Sequence, residues 1–384
     1  TADAMLGSGG MVTLSSTGDV LQISQNGGEI VLDNVFAGNG RLEVIGTADE
    51  TGSNQTFSFY SGWSTTDNVN FTGTLAMSGS LDMTVGGAEN SSGAYNASNL
   101  ANADVEVGSG SVLAVESGGT VSTFKDLTLN GGAIEFGSTM EVLPGISFGN
   151  LTILGALTVA DGDVADISID WAAGAAGEDR TGDTLANTSV VSGANNDSFV
   201  TLINGATGAV DLSDWTLNGE NNEALAGKEV VQGIVQDTSG TVADVADAVY
   251  GYQLSSGDGT DLGILFDMKG IRIYDNAELK LTETGTLDVN ISDKNAGGNG
   301  GLLVRNDGLN GGLILTGKNT YTGATTVASG SLTAEARGLG ATSALNVSNG
   351  AAYTNAGLNT VGSLDVKGNL DLKSATTLEI TSGT

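Results

Sequence analysis

The chain has 384 residues, of which 60 are glycine, one is proline and 5% are aromatic; 45 acids against 13 bases give a net charge of −32, and cysteine and histidine are absent. Without cysteine there is no disulfide framework, thiolate metal site or cysteine nucleophile, and without histidine the commonest general base and the usual zinc or copper ligand are gone. Only Arg41 and Lys125 are basic before Arg180, and so anionic a field opposes nucleic acid and anionic lipid, because phosphate binding needs clustered Lys or Arg.

From Met11 to about Ala160 one local pattern recurs. Leu21-Gln22-Ile23 is followed by Asn26-Gly27-Gly28 and Ile30-Val31-Leu32; Leu127-Thr128-Leu129 is followed by Asn130-Gly131-Gly132 and Ile134-Glu135-Phe136. Apolar residues at every second position separated by Asn-Gly corners predict short strands. Such strands also build sandwiches, but those run longer and fill their cores with recurrent aromatics. Short strands, frequent corners and few aromatics predict an all-β parallel β-helix, a solenoid with coils of roughly 20–25 residues. At about 4.8 Å per rung, roughly 15–18 coils would give a rod of about 70–85 Å.

Residues 161–270 break the pattern. Glycine corners thin out, Trp171 and Trp215 appear, and acid-rich loops such as Glu178-Asp179 interrupt the strands. Val242, Val245, Ala246 and Val249 fall at helical spacing, after which Tyr250 and Tyr252 return to strand alternation. The expected organisation is N-terminal coils over 1–160, an embellished coil section over 161–270, and C-terminal coils over 271–384. Trp171, Trp215, Tyr250 and Tyr252 are the candidate binding residues of the middle section, with core filling as the competing role.

The regular pattern resumes at Ile271-Arg272-Ile273-Tyr274 and reaches its most specific stretch at Leu313 to Leu332, LILTGKNTYTGATTVASGSL. Leu313 and Leu315, then Val327 and Leu332, read as core positions flanking a polar corner of Thr316, Gly317, Asn319, Thr320, Tyr321, Thr322 and Gly323, with Thr325, Thr326 and Gly330 completing the segment. This order of residues resembles the passenger-associated transport repeat of bacterial type V autotransporters, of the kind found in AIDA-type adhesins, with Gly323-Ala324 where the usual form has Gly-Gly. The resemblance covers about twenty residues and implies a right-handed parallel β-helix exported through an outer-membrane β-barrel to the surface of a Gram-negative bacterium, and displayed or released there. For Leu313 to Leu332 it implies a role in export, with Gly317 and Gly323 at corners and Asn319 bonded within a turn ladder. No apolar run is long enough for a membrane span, and Thr1 to Leu6 lacks signal-peptide form. A leader and a barrel translocator are therefore expected outside these residues, as are further coils beyond Thr384, where strand edges would otherwise be bare.

Carboxylates are the one plentiful source of chemistry. Asp161, Asp163 and Asp166, or Asp258 and Asp261, have spacings that would place pairs on one face, as glycoside hydrolysis requires, but with 45 acids such pairs arise by chance. Oxygen-rich turns at Gly257-Asp258-Gly259-Thr260-Asp261 and Asp293-Lys294-Asn295 match no established calcium loop. No catalytic, metal-binding or cofactor-binding residue is assigned. The expectation is a non-enzymatic surface adhesin that self-associates between cells in aggregation or biofilm, with a host glycan or matrix-protein binder using residues 161–267 as the alternative and a polysaccharide-cleaving enzyme as a more remote one.

Overall fold

The computed structural model describes residues 10–24, 29–32, 34–48, 52–59, 70–86, 100–116, 122–137, 149–170, 198–237, 242–306, 311–374 and 376–381. Asn26–Gly28, Trp171 and Glu178–Asp179 lie outside them. The chain is an all-β solenoid whose rungs stack as parallel strands. In the first stack one sheet has six strands, from Val20–Ser24 through Arg41–Gly46, Thr74–Gly79, Asp104–Gly108 and Asp126–Asn130 to Leu157–Val159. A second has seven, from Ile30–Leu32 to Trp215–Leu217. After residue 277 two further sheets of five strands each repeat the arrangement.

Parallel registry explains why the alternation in the sequence is strict. Leu42, Leu75, Val105 and Leu127 stand in one column and Val44, Met77, Val107 and Leu129 in the next. Phe57, Met83, Leu113, Ile134, Ile167 and Leu217 form the column of the neighbouring sheet. All of these side chains are buried, each worth about 1.5–3 kcal/mol relative to exposure. Among the described residues the sheets have up to seven strands in the first stack and five in the second, against the 15–18 rungs expected of the chain. Successive strands of one sheet can be far apart in sequence, as with Arg41 and Thr74, and a block of antiparallel strands lies between the stacks.

That block joins the two stacks. The strand Ser198–Asn204 pairs in parallel with Leu151–Ile153 of the first stack, and in antiparallel fashion with the long strand Leu262–Ile273. The latter pairs in parallel, through Gly270 to Ile273, with Asn290–Asp293 of the second stack. One strand thus belongs to both stacks. Two more, Val242–Ser255 and Glu229–Asp237, extend the same sheet in antiparallel order.

Val242, Val245, Ala246 and Val249 therefore lie in a strand, which corrects the helical spacing. The strand is covered on both faces, with Val245, Ala246, Asp247, Ala248, Val249 and Tyr250 all buried in succession. A doubly buried strand loses its period of two, and small apolar residues then fall at helical spacing by coincidence.

The outermost strand is anchored to the second stack by one side chain. The Gln236 amide donates to the Lys280 carbonyl and accepts from the Lys280 N–H, both at 2.8 Å, so it pairs like a strand residue with the first rung of that stack. Gln236 is only 3% exposed. Replacing it by Met should keep the volume but orphan both backbone groups, lowering stability by about 2–3 kcal/mol, read as a shifted midpoint in chemical denaturation; an unshifted midpoint would show that water replaces the amide.

Candidate functional site

Leu313 to Leu332 forms the middle of the second stack, with strands Leu313–Leu315 and Thr325–Ser329 on two of its sides. Leu313, Leu315, Val327 and Leu332 are fully buried. A Cβ on Gly317 would lie 2.0 Å from the Val289 carbonyl oxygen of the preceding rung, so glycine is required for the approach of two backbones. Gly330 differs, with φ +76° and the Asn306 side chain against the position of any Cβ. Gly323 packs against the backbone of Asn299 and Gly300 in the same way as Gly317.

Asn319 ties three consecutive coils together. Its Oδ1 accepts from the Ile291 N–H at 2.7 Å below, and its Nδ2 donates to the Gly338 carbonyl at 2.6 Å above. Beside it the Tyr321 ring is wholly buried, its hydroxyl 2.7 Å from Thr325 Oγ1. Thr342 donates to the Gly323 carbonyl at 2.6 Å and accepts from Thr325 at 3.1 Å. Each hydroxyl has one proton, so the direction is set: Tyr321 donates to Thr325, Thr325 to Thr342, Thr342 to the backbone. Thr322 closes the outer corner, donating to Asp293 Oδ2 at 2.5 Å and accepting from the Asn299 N–H at 3.1 Å. Thr316 donates to Asp288 at 2.6 Å, and Thr326 accepts from Asn346 at 3.4 Å. Thr320, with its side chain exposed, adds a backbone bond to the Ile291 carbonyl at 2.8 Å.

Asn359, which was not among the expected residues, repeats the downward half of the Asn319 role, bonding Leu339 and Ala334 of the preceding coil. It accepts from the Leu339 N–H at 3.2 Å and donates to Asn355 Oδ1 at 2.8 Å, and Asn355 also receives the Tyr353 hydroxyl at 3.0 Å. The sequence signal is Gly-x-Asn, shared by Gly317-Lys318-Asn319 and Gly357-Leu358-Asn359. Gly357 likewise lies against the backbone of a preceding coil, at Ala336.

The aromatic candidates separate. Trp215 is 3% exposed and stacks on Ala165 in the first stack. Tyr250 is equally buried, paired with Val230 and Met268, and its hydroxyl has no hydrogen-bond partner among the described residues. Tyr252 is half-buried, lies 6.5 Å from the Phe266 ring, and borders a groove of about 640 Å³. The acids are spent on turns: Asp166 accepts from Thr216 Oγ1 at 2.7 Å and the Gly219 N–H at 2.8 Å, and Asp261 accepts from the Gly205 N–H at 3.2 Å. Asp258 accepts from the Thr260 hydroxyl and N–H at 2.8 and 3.1 Å, bonds that lower its pKa. Asp161 is exposed and Asp163 half-buried on the turn before the strand Ala165–Asp170. Among the described residues no three carboxylates gather around a metal-sized space.

No family model matches the chain, and no solved structure matches it. One curated protein is similar. Over 150 residues the chain is 33% identical to the uncharacterized lipoprotein YdeK of Escherichia coli strain K12. The match covers 38% of this chain and 10% of that protein, so these residues correspond to a small part of the relative's length.

Two measurements test the buried network. Asn319→Ala orphans the Ile291 N–H and the Gly338 carbonyl and should cost about 2–4 kcal/mol, whereas Tyr321→Phe removes only the first donor of the chain and should cost about 1 kcal/mol; equal midpoints for both variants in urea would contradict the assigned direction. Burial also raises the phenol pKa of Tyr321 and Tyr353 above the ordinary value of 10.0. A raised folded-state pKa means that the unfolded chain releases its proton first, so stability is intact below about pH 10 and falls as pH rises above it. Urea midpoints at pH 8 and pH 10.5 should show that fall, and Tyr321→Phe should reduce it.

Proposed function

We propose that this chain is the β-solenoid section of an exported, envelope-associated adhesin that holds bacteria together through an extended face. The observation that carries this reading is the alignment of outward side chains. Thr286, Ile314, Thr333, Thr354 and Asp371 form one column on the second stack, and Lys280, Leu303, Thr326, Asn346 and Asp365 form another. Repeated hydroxyls, amides and carboxylates at the rung spacing of about 4.8 Å present many weak hydrogen-bonding positions in fixed register. Many such contacts between neighbouring cells, each weak, add through avidity.

The resemblance of Leu313 to Leu332 to the autotransporter transport repeat supports export to the surface of a Gram-negative bacterium, whether retained or released. Similarity to a protein named as a lipoprotein supports placement in the envelope. No helix among the described residues is long and apolar enough to cross a membrane; in this reading a β-barrel translocator outside them supplies the crossing. The partner is a second copy on an adjacent cell, and the role is not enzymatic.

A second reading rests on the Tyr252 groove. Residues 161–267 would then supply a site for a host glycan or matrix protein, and deletion of that section would abolish attachment to host ligand while leaving cell clumping intact.

Self-association must overcome the repulsion of chains carrying −32 each. Clumping of cells displaying the chain should strengthen as monovalent salt screens that field, and strengthen further with divalent cations. Sedimentation of displaying cells across a salt series reads this directly, and clumping that weakens or stays level under both would overturn the self-association reading.

A further inference from the structure

The charge that opposes self-association is unevenly placed along the chain. Residues 1–277 hold 36 acids and six bases, whereas residues 278–384, which build the second stack, hold nine acids and seven bases. The net charge is therefore −30 before the second stack and −2 within it. Two copies that meet through the second stack leave the strongly anionic sections outside the contact, where salt screens them within about 8 Å at physiological strength.

Strand register shows which face suits such a contact. On the first stack the outward rows carry carboxylates: Glu43 and Glu106 flank Ala76, Asp82 and Asp166 bound the row through Val112 and Ala133, and Glu135 follows Thr84 and Ala114. The second stack differs. In its sheet from Gly285–Leu287 to Asn369–Leu372, one outward row runs Thr286, Ile314, Thr333 and Thr354 before reaching Asp371, and the row beside it is Ser331, Ala352 and Asn369. These seven neighbours carry no charge, and Asp371 is paired with Lys373 at 2.8 Å. The adjoining sheet is less uniform, since its outward row opens on Lys280 and closes on Asp365.

Thr286, Ile314, Thr333 and Thr354 are each partly exposed. Being β-branched, they are stiff at χ1 and lose little side-chain freedom when covered, unlike the Lys and Glu that populate most surfaces. Charge-poor surface of this kind is what the centres of protein interfaces are made of. Four rungs and two rows bury only about 200–300 Å² per copy, against about 800 Å² per partner in a stable complex. A single contact is thus weak, and cells are held only when many copies engage at once.

We propose that this uncharged face of the second stack is where two copies meet on neighbouring cells, sheet against sheet, with Ile314 of one copy against Thr333 of the other and Thr286 against Thr354. The register follows from two-fold symmetry, which sets one patch against itself and closes the assembly at two. The middle of the four uncharged rungs falls between Ile314 and Thr333, and equal rung spacing on both copies lets their side chains mesh. The proposal rests on the self-association reading above and specifies its surface.

The test is the settling rate of cells displaying the chain. Ile314→Asp and Thr333→Asp should each slow settling about tenfold, because a carboxylate at the centre of the contact loses water without gaining a partner. Thr84→Asp, the same change in an outward row of the first stack, should stay within about twofold of the parent. Thr333→Lys separates the contact from net charge: it makes the chain less negative, so clumping set by net charge alone would strengthen, whereas loss of an uncharged contact should again weaken it about tenfold. Melting temperatures of the purified variants should match the parent, since these side chains are partly exposed.

A cross-link reads the register directly. The chain has no cysteine, so a short bis-maleimide should join two copies when cells displaying Thr286→Cys are mixed with cells displaying Thr354→Cys. It should join none when either variant is displayed alone, because like positions then lie three rungs apart, about 14 Å. Settling of Ile314→Asp and Thr333→Asp at the parent rate, stronger clumping by Thr333→Lys, an equal loss in Thr84→Asp, or absence of the mixed cross-link would each overturn the proposal and leave the adhesin reading standing. Parent cells that fail to clump at any salt concentration would bring down the adhesin reading as well.

Discussion

Each coil can bury its inward side chains only against the coils above and below it. That single constraint requires parallel strands in strict register, since a slip by one residue would turn a whole row of Leu and Val outward. It also brings backbones close enough at the corners that Gly317 tolerates no side chain over the Val289 carbonyl. Where a corner leaves backbone groups without a strand partner, the chain supplies a side-chain amide instead. Asn319 spans from Ile291 to Gly338, and Gln236 does the same for Lys280 at the start of the second stack. Thr325 and Asn355, polar residues in these core columns, are stable there because each is bonded to a neighbour within the fold.

The strand Leu262–Ile273 shows what happens when the constraint changes direction. Its first half runs antiparallel to the first stack and its second half parallel to the second, with an irregularity opposite Val249 and Tyr250. The sheet is continuous across the joint, so core columns on both sides share one hydrophobic surface in which Ile264, Phe266, Ile271 and Ile273 are buried. The added antiparallel strands leave the regular stack, and at their border with the short helix they create a concave feature lined by mixed chemistry. Long solenoid faces offer repetition, whereas the interruption offers a shaped site.

Charge is distributed by the same geometry. On the first stack Arg41 reaches Glu43 at 2.7 Å and Glu106 at 2.6 Å, crossing the rung in which Ala76 occupies the intervening position, and Lys125 reaches Asp104 at 2.8 Å. Few bases serve many acids, so most of the surface keeps its negative field. The groove that Tyr252 borders differs, since Lys228 and Lys269 in its lining pair with Glu220 and Asp267.

Solenoid class, parallel core columns and the inward role of Leu313, Leu315, Val327 and Leu332 were legible in the sequence, because alternation with corners has few other physical solutions in a chain this poor in aromatics. The corners at Gly317 and the bonding of Asn319 came from the resemblance of the segment to the transport repeat, while the matching Gly-x-Asn at Gly357 to Asn359 stood in the sequence and was not recognised. What lay beyond sequence was the strand assignment of Val242–Ser255, where burial on both faces erased the period of two, and the division of labour among Trp215, Tyr250 and Tyr252. Those three are similar residues in similar local contexts, and only the packing decides that the first two fill cores while the third meets solvent. Lys228 meets Glu220 and Arg272 meets Glu229 across separate strands and turns, whereas Lys269 and Asp267 lie two residues apart on one strand. Local sequence determines which side of a strand is apolar; which distant charges meet across a groove is decided by how the chain reverses direction between its two stacks.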